Sequence, residues 1–266
     1  MSSQPPPYAA PSQPAQVSDP PRLGFGARLS NVFFAPSETF ADVNRAAKPL
    51  LPLIVFMLVI LLQILVVNVR VKPDYHAIVV EQTEKRAGKS ISDMEGQERQ
   101  QAETGIKIGE TIYKFLPFVA AAFSPIAILF FALIYWLGTL LIQGKTTYPK
   151  VLSVVIWTSL ATSIVRGLLS ILGTFIRTVD PTDPEQLQQG GISSNLGPLI
   201  SEKANPVLHS ILLQLDIFVI WGIVLTAIGL AAVCYKKKTS QTAIIPIVFW
   251  GVIFLIRVAY AAISHH

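Results

Sequence analysis

Apolar positions in this chain are gathered into runs rather than spread at the spacing of a water-soluble core, and charged or turn-rich links separate the runs. The first, Leu50 to Val69, carries no charge and is flanked by Lys48 and Arg70. The second is uncharged from Phe115 to Ile142, with its spanning part at 118–142 and with Pro117 and Pro125 marking an interfacial start or a kink. The third covers 151–176 and contains Arg166; the fourth covers 208–235 and contains Asp216; the fifth covers 242–263 and contains Pro246 and Arg257. Each is long enough for the roughly 20 helical residues that cross a bilayer. The pattern predicts an all-α fold, a polytopic five-transmembrane-helix bundle occupying residues 49–264.

The remaining segments follow from the same reading. Residues 1–21 hold Pro5, Pro6, Pro7, Pro11, Pro14, Pro20 and Pro21 among Ser, Gln and Ala, a composition that buries too little apolar area to offset chain entropy, so a disordered tail is expected. It lacks the basic start and short apolar core of a cleaved signal peptide, which leaves the first spanning helix as the insertion signal. In the juxtamembrane segment 22–48, Phe25, Leu29, Val32 and Phe33 share one helical face, Pro36 breaks it, and Phe40 and Val43 follow. Short helices lying on the membrane fit this pattern, and so does a linker packed on the other helices. Between the first two runs lies a charged stretch expected to sit in water, with Ser92 or Asp93 as the cap of a polar helix through Arg99 and Glu103.

Charge orients the bundle. Arg45 and Lys48, Lys145 and Lys150, and Lys236 to Lys238 fall on one side of the five runs, which predicts a cytoplasmic N-terminus and an outer C-terminus. Only 14% of the residues are charged against 52% hydrophobic, which argues against a soluble globule. The net charge of +5 comes from residues scattered among loops, so it indicates topology rather than a nucleic-acid partner.

Catalytic chemistry finds little to work with. The single cysteine, Cys234, ends an apolar run, which leaves no disulfide framework, no multi-cysteine metal site and no nearby histidine to activate a nucleophile. His76, His209, His265 and His266 form no paired helical metal site, and no phosphate-binding glycine loop is present. Neither a cofactor nor an enzymatic reaction is expected. Trp157, Trp221 and Trp250 read as packing or interfacial anchors, and Gly138, Gly167, Gly222 and Gly229 as points of close helix approach.

The residues that most need explaining are Arg166, Asp216 and Arg257, because a charge in hydrocarbon costs a few kcal/mol or more. At about 1.5 Å per residue the three fall within roughly one helical turn of depth in the outer half of the bilayer. They form either a structural ion pair, with Arg257 snorkelling to the interface, or a cluster that lines a polar cavity or holds a lipid phosphate through the spare arginine. Lys236, Lys237 and Lys238 set topology or contact acidic lipid headgroups.

Three stretches carry a family likeness: NVFFAPSETFADV at Asn31 to Val43, TTYPKVLSVVIWTSLATSIVRGLLSIL at Thr146 to Leu172, and LLQLDIFVIWGIVLTAIGLAAV at Leu212 to Val233. In the last, Leu215, Asp216, Phe218, Trp221 and Gly229 form the ordered series. The chain resembles the YIP family, the Yip-domain proteins named for interacting with Ypt/Rab GTPases, and in particular its bacterial branch. The resemblance implies an adaptor or membrane-organising protein of a bacterial inner membrane, and the partners expected are the lipid bilayer, a membrane or cytoplasmic protein, and further copies of the chain. The alternative is a small transporter or channel component using the Arg166, Asp216 and Arg257 cluster, although five spans do not divide into two equal repeats.

Overall fold

The computed structural model describes residues 22–201 and 204–264. The expected disordered tail and the histidines at the C-terminus lie outside the described residues. Among these residues the fold is all-α, and its one isolated β-bridge joins Asn195 to Asp216.

Four helices are long and apolar enough to cross a membrane: α3 (Leu50–Val71), the second part of α5 (Gly96–Leu141), α6 (Tyr148–Ile176), and Thr239–Ile263, which joins α10 (Thr239–Thr242) to α11 (Ile244–Ser264). The run read as a continuous fourth span, 208–235, is two helices. α8 (Pro206–Gln214) ends at Leu215, and α9 (Ile217–Val233), an apolar helix of 17 residues, starts after Asp216. A carboxylate that caps a helix N-terminus does so from non-helical backbone, and Asp216 is extended at φ −106°, ψ 128°.

α6 is the hub. Half of its most apolar window is buried, against 17% for each of the other three spans, whose remaining apolar surface is left for lipid. Trp157, Ile156 and Leu160 on α6 meet Leu225 and Leu230 on α9 in the core. Gly138 lies against Ile245, where an added Cβ would come within 2.7 Å, so α5 and α11 touch closely there. Gly167 and Gly222 have ordinary space around them.

The juxtamembrane segment folds as a helical hairpin, α1 (Phe25–Phe34) and α2 (Pro36–Arg45), that is part of this core. Val32, Phe40 and Val43 are fully buried. Phe40 fills the groove at Gly229, where a Cβ would lie 3.1 Å from its ring. Phe25 stacks near Trp157 at 5.4 Å between centroids and Phe33 near Trp221 at 6.0 Å. Trp221 and Gly229, which meet Phe33 and Phe40, lie about 12 Å apart along α9, counting 1.5 Å per residue, so the hairpin runs along nearly half of that helix.

The charged stretch after α3 is a second helical hairpin. α4 (Tyr75–Ala87) is capped by the Asp74 carboxylate, which accepts from the Ala77 N–H, and ends at Gly88 with φ +70°. Ser92 and Asp93 do not cap the next helix: Ile91–Asp93 is a single 3₁₀ turn, and α5 begins at Gly96. α5 is one helix of 46 residues that joins the polar stretch to the second span without interruption. Its proline at 125 deprives the Ala121 carbonyl of its helical N–H, and the Ser124 hydroxyl donates to that carbonyl at 2.7 Å instead. α4 packs on the polar half of α5 through Val79 at Gly109 and a 2.6 Å hydrogen bond from the Tyr113 hydroxyl to Gln82.

Candidate intramembrane charge site and the basic end

Asp216 is the best-connected side chain of the three candidates. Its Oδ1 accepts from the backbone N–H groups of Phe218 and Val219 at 2.7 and 3.3 Å. Its Oδ2 accepts from Arg166 Nη2 at 2.9 Å and from the Ser194 hydroxyl at 2.7 Å. Two of these donors belong to the first turn of α9, whose dipole also favours a negative charge at that end. The backbone of the next residue is tied to the loop before α8: Ile217 N–H donates to the Ser194 carbonyl at 3.1 Å. Asp216 thus serves as cap, ion-pair partner and loop anchor together.

Arg166 is unequal to its partner in exposure, its side chain being 45% accessible against 10% for Asp216. The guanidinium carbon lies 5.3 Å from the centre of the Phe218 ring, so the arginine is held by a carboxylate on one side and an aromatic face on the other. Arg257 does not join the pair. Its Nη1 donates at 3.4 Å to the side-chain oxygen of Gln214, the last residue of α8, and the residue is exposed. The structure therefore brings two of the three candidates into contact and leaves the third on the neighbouring turn. Ser194 and Gln214 were not singled out from sequence, since a hydroxyl and an amide among turn formers carry no recognisable spacing.

The lysine cluster sits on the turn between α9 and α10. Lys236 adopts φ +52° and its Nζ lies 5.2 Å from the Tyr235 ring centre. That turn is bonded to the link between α5 and α6 by the Tyr235 N–H donating to the Gly144 carbonyl at 2.9 Å. Lys150 Nζ donates to Asn44 Oδ1 at 2.8 Å, which adds the end of α2 to the same region. The basic links thus gather at one end of the bundle. Among the described residues no group of His, Cys, Asp or Glu is arranged to hold a metal ion.

A second ion pair, absent from the sequence reading, lies inside the α1–α2 hairpin. Arg28 Nε donates to Asp42 Oδ2 at 2.7 Å, and its Nη2 donates to the Ala46 carbonyl at 3.1 Å. Burial alone would raise the Asp42 carboxyl. The backbone N–H of Arg22, the Arg28 guanidinium and the N–H of Leu23 outweigh it and hold the group below its ordinary 3.8. The signal was available, because Arg28 shares the helical face of Phe25 and Val32 and had to be buried with them.

No solved structure matches this chain. A membrane protein of Bacillus subtilis, YknW, is 36% identical over 142 residues. The match covers 52% of this chain and 54% of the relative, so it spans about half the length of each. The Yip1 domain model matches residues 30–260, from α1 to the last spanning helix, and the chain belongs to the Yip1 domain family of integral membrane proteins.

Proposed function

We propose that this protein is a non-enzymatic adaptor or organiser of a bacterial plasma membrane whose α1–α2 hairpin, packed along α9, holds the surrounding basic turns toward the cytoplasm. The observation that carries the reading is the way the hairpin is built. Phe40, Val32 and Val43 fix it to α6 and α9 while Ser30, Phe34, Ser37 and Ala41 stay exposed, a rigid displayed surface rather than a loose linker. In this arrangement α9 makes the fourth of five crossings despite its 17 residues, the N-terminus is inside and the C-terminus outside. The positive-inside pattern of Arg45, Lys48, Lys145, Lys150 and Lys236 to Lys238 supports that orientation, and a Bacillus relative named a membrane protein supports the compartment. The partner is a cytoplasmic or membrane protein, with a further copy of the chain as one candidate.

The test is affinity purification of the full chain from native membranes, wild type beside Ser30→Arg with Ala41→Arg. A partner captured reproducibly with the wild type and lost with the variant supports the reading. Identical partner profiles would sink it. Labelling of cysteines placed in the two terminal regions tests the orientation separately.

A second reading, a small transporter or channel component, draws on two cavities that adjoin Arg166. Solute flux in liposomes that is abolished by blocking Arg166 would favour it over the adaptor.

A further inference from the structure

Arg166 and Val219 line two cavities at once. The larger, about 800 Å³, is bordered by α3, α5, the α7 (Pro184–Gln189) region and the break before α9. Its walls include Arg257, Gln63, Tyr75 and Gln214, over an apolar floor of Ile60 and Ile64. The smaller, about 290 Å³, lies among α5, α6, α9 and α11 and is walled by Tyr135, Thr158, Thr162, Phe249 and Trp250.

The charges in the larger cavity are unevenly used. Asp216 already accepts from four donors, and Glu185, the other acid on the wall, accepts from the Gln189 amide at 3.1 Å. Arg166 spends only Nη2 on Asp216, and Arg257 makes one long contact with a neutral amide. Two planar guanidinium forks with donors to spare border one cavity, which is the donor set that suits a phosphate oxyanion. The smaller chamber has a different character. Aromatic and aliphatic side chains dominate it, and the buried Thr158 hydroxyl has no protein hydrogen-bond partner. A charged cavity and an apolar one that adjoin at Arg166 and Val219 within a membrane bundle match the two parts of an amphiphile.

We infer that the two cavities together form a binding site for one anionic phospholipid, its phosphate between Arg166 and Arg257 and one acyl chain in the chamber beside Thr158 and Trp250. This assignment requires only that the chain resides in a membrane and is independent of the adaptor role.

The experiment is thermal unfolding of the purified, delipidated full chain in detergent with added phosphatidylglycerol, phosphatidylcholine or inorganic phosphate. Phosphatidylglycerol is expected to raise the melting temperature saturably, phosphatidylcholine to act several-fold more weakly, and inorganic phosphate to have no effect. Arg257→Gln changes an exposed residue outside the Arg166–Asp216 pair, so its melting temperature without lipid should match wild type while half-saturation rises at least tenfold. Gly222→Leu projects a side chain against the chamber wall near Thr162 and should weaken phosphatidylglycerol as well. A shift reproduced by inorganic phosphate overturns the amphiphile in favour of a free oxyanion. Equal response to both lipids, or an unchanged phosphatidylglycerol response in Arg257→Gln, overturns the site.

Discussion

Arg28 and Asp42 face each other across the α1–α2 hairpin at 2.7 Å, each side chain 4% exposed, so the pair stands among apolar side chains rather than at the surface. Removing one partner of a buried pair leaves an uncompensated charge and costs about 3–5 kcal/mol. Asp42→Ala is therefore expected to release the hairpin from α6 and α9, seen as a large gain in amide exchange over Phe25–Phe34 and Pro36–Arg45. Exchange unchanged there would show that the aromatic contacts hold the hairpin alone.

The same pair sets a pH dependence. The Asp42 carboxyl is held below 3.8 in the folded chain, so its contribution is present above the unfolded value and is lost as pH falls through the lower, folded one. The hairpin should stay docked from neutral pH down to about pH 4 and loosen only below it. Tryptophan emission reads this directly, because Trp157 and Trp221 contact Phe25 and Phe33. Asp42→Asn should flatten the acid limb of that profile.

Gly229 admits α2 to α9. A leucine there meets Phe40 and Val154, and overpacking of this kind costs about 1–3 kcal/mol. Gly229→Leu should lower the melting temperature, and Phe40→Ala, which empties a fully buried site, should lower it too, but the double variant should lose less than the sum of the two. Strict additivity of the two would mean that they do not share the groove.

Asp216 does more than neutralise Arg166. Asp216→Asn keeps an acceptor for the Phe218 and Val219 N–H groups, whereas Asp216→Ala also removes the cap, worth about 1 kcal/mol. Asparagine should be the milder change in melting temperature. The swap Asp216→Arg with Arg166→Asp restores opposite charges but puts an acceptor-free guanidinium at the start of α9. The double variant should therefore remain less stable than wild type, and full recovery would show that the cap contributes nothing.

The edges of α3 were legible because Lys48 and Arg70 bracket a run with no other charge. The division at Leu215 was not, because hydropathy is continuous across Leu208 to Tyr235 and a lone Asp in such a run reads as a buried charge. Its preference for helix N-termini was the overlooked signal. The pattern also marked the apolar face of Phe25, Leu29 and Val32, yet it could not say what that face meets. Docking onto Trp157 and Trp221 is a tertiary fact, set by shape at Gly229 rather than by periodicity.

α5 carries a mechanical consequence. A helix of 46 residues is about 69 Å long, more than twice the hydrocarbon thickness, so its polar half stands clear of the lipid as a mast rooted in the bundle. Whatever pulls on its tip, near Gly96, applies torque to the root at Leu141, which leads into the link bonded to the lysine turn. Load on one face of the membrane thereby reaches the other through one continuous helix, with Pro117 and Pro125 as the places where it can bend.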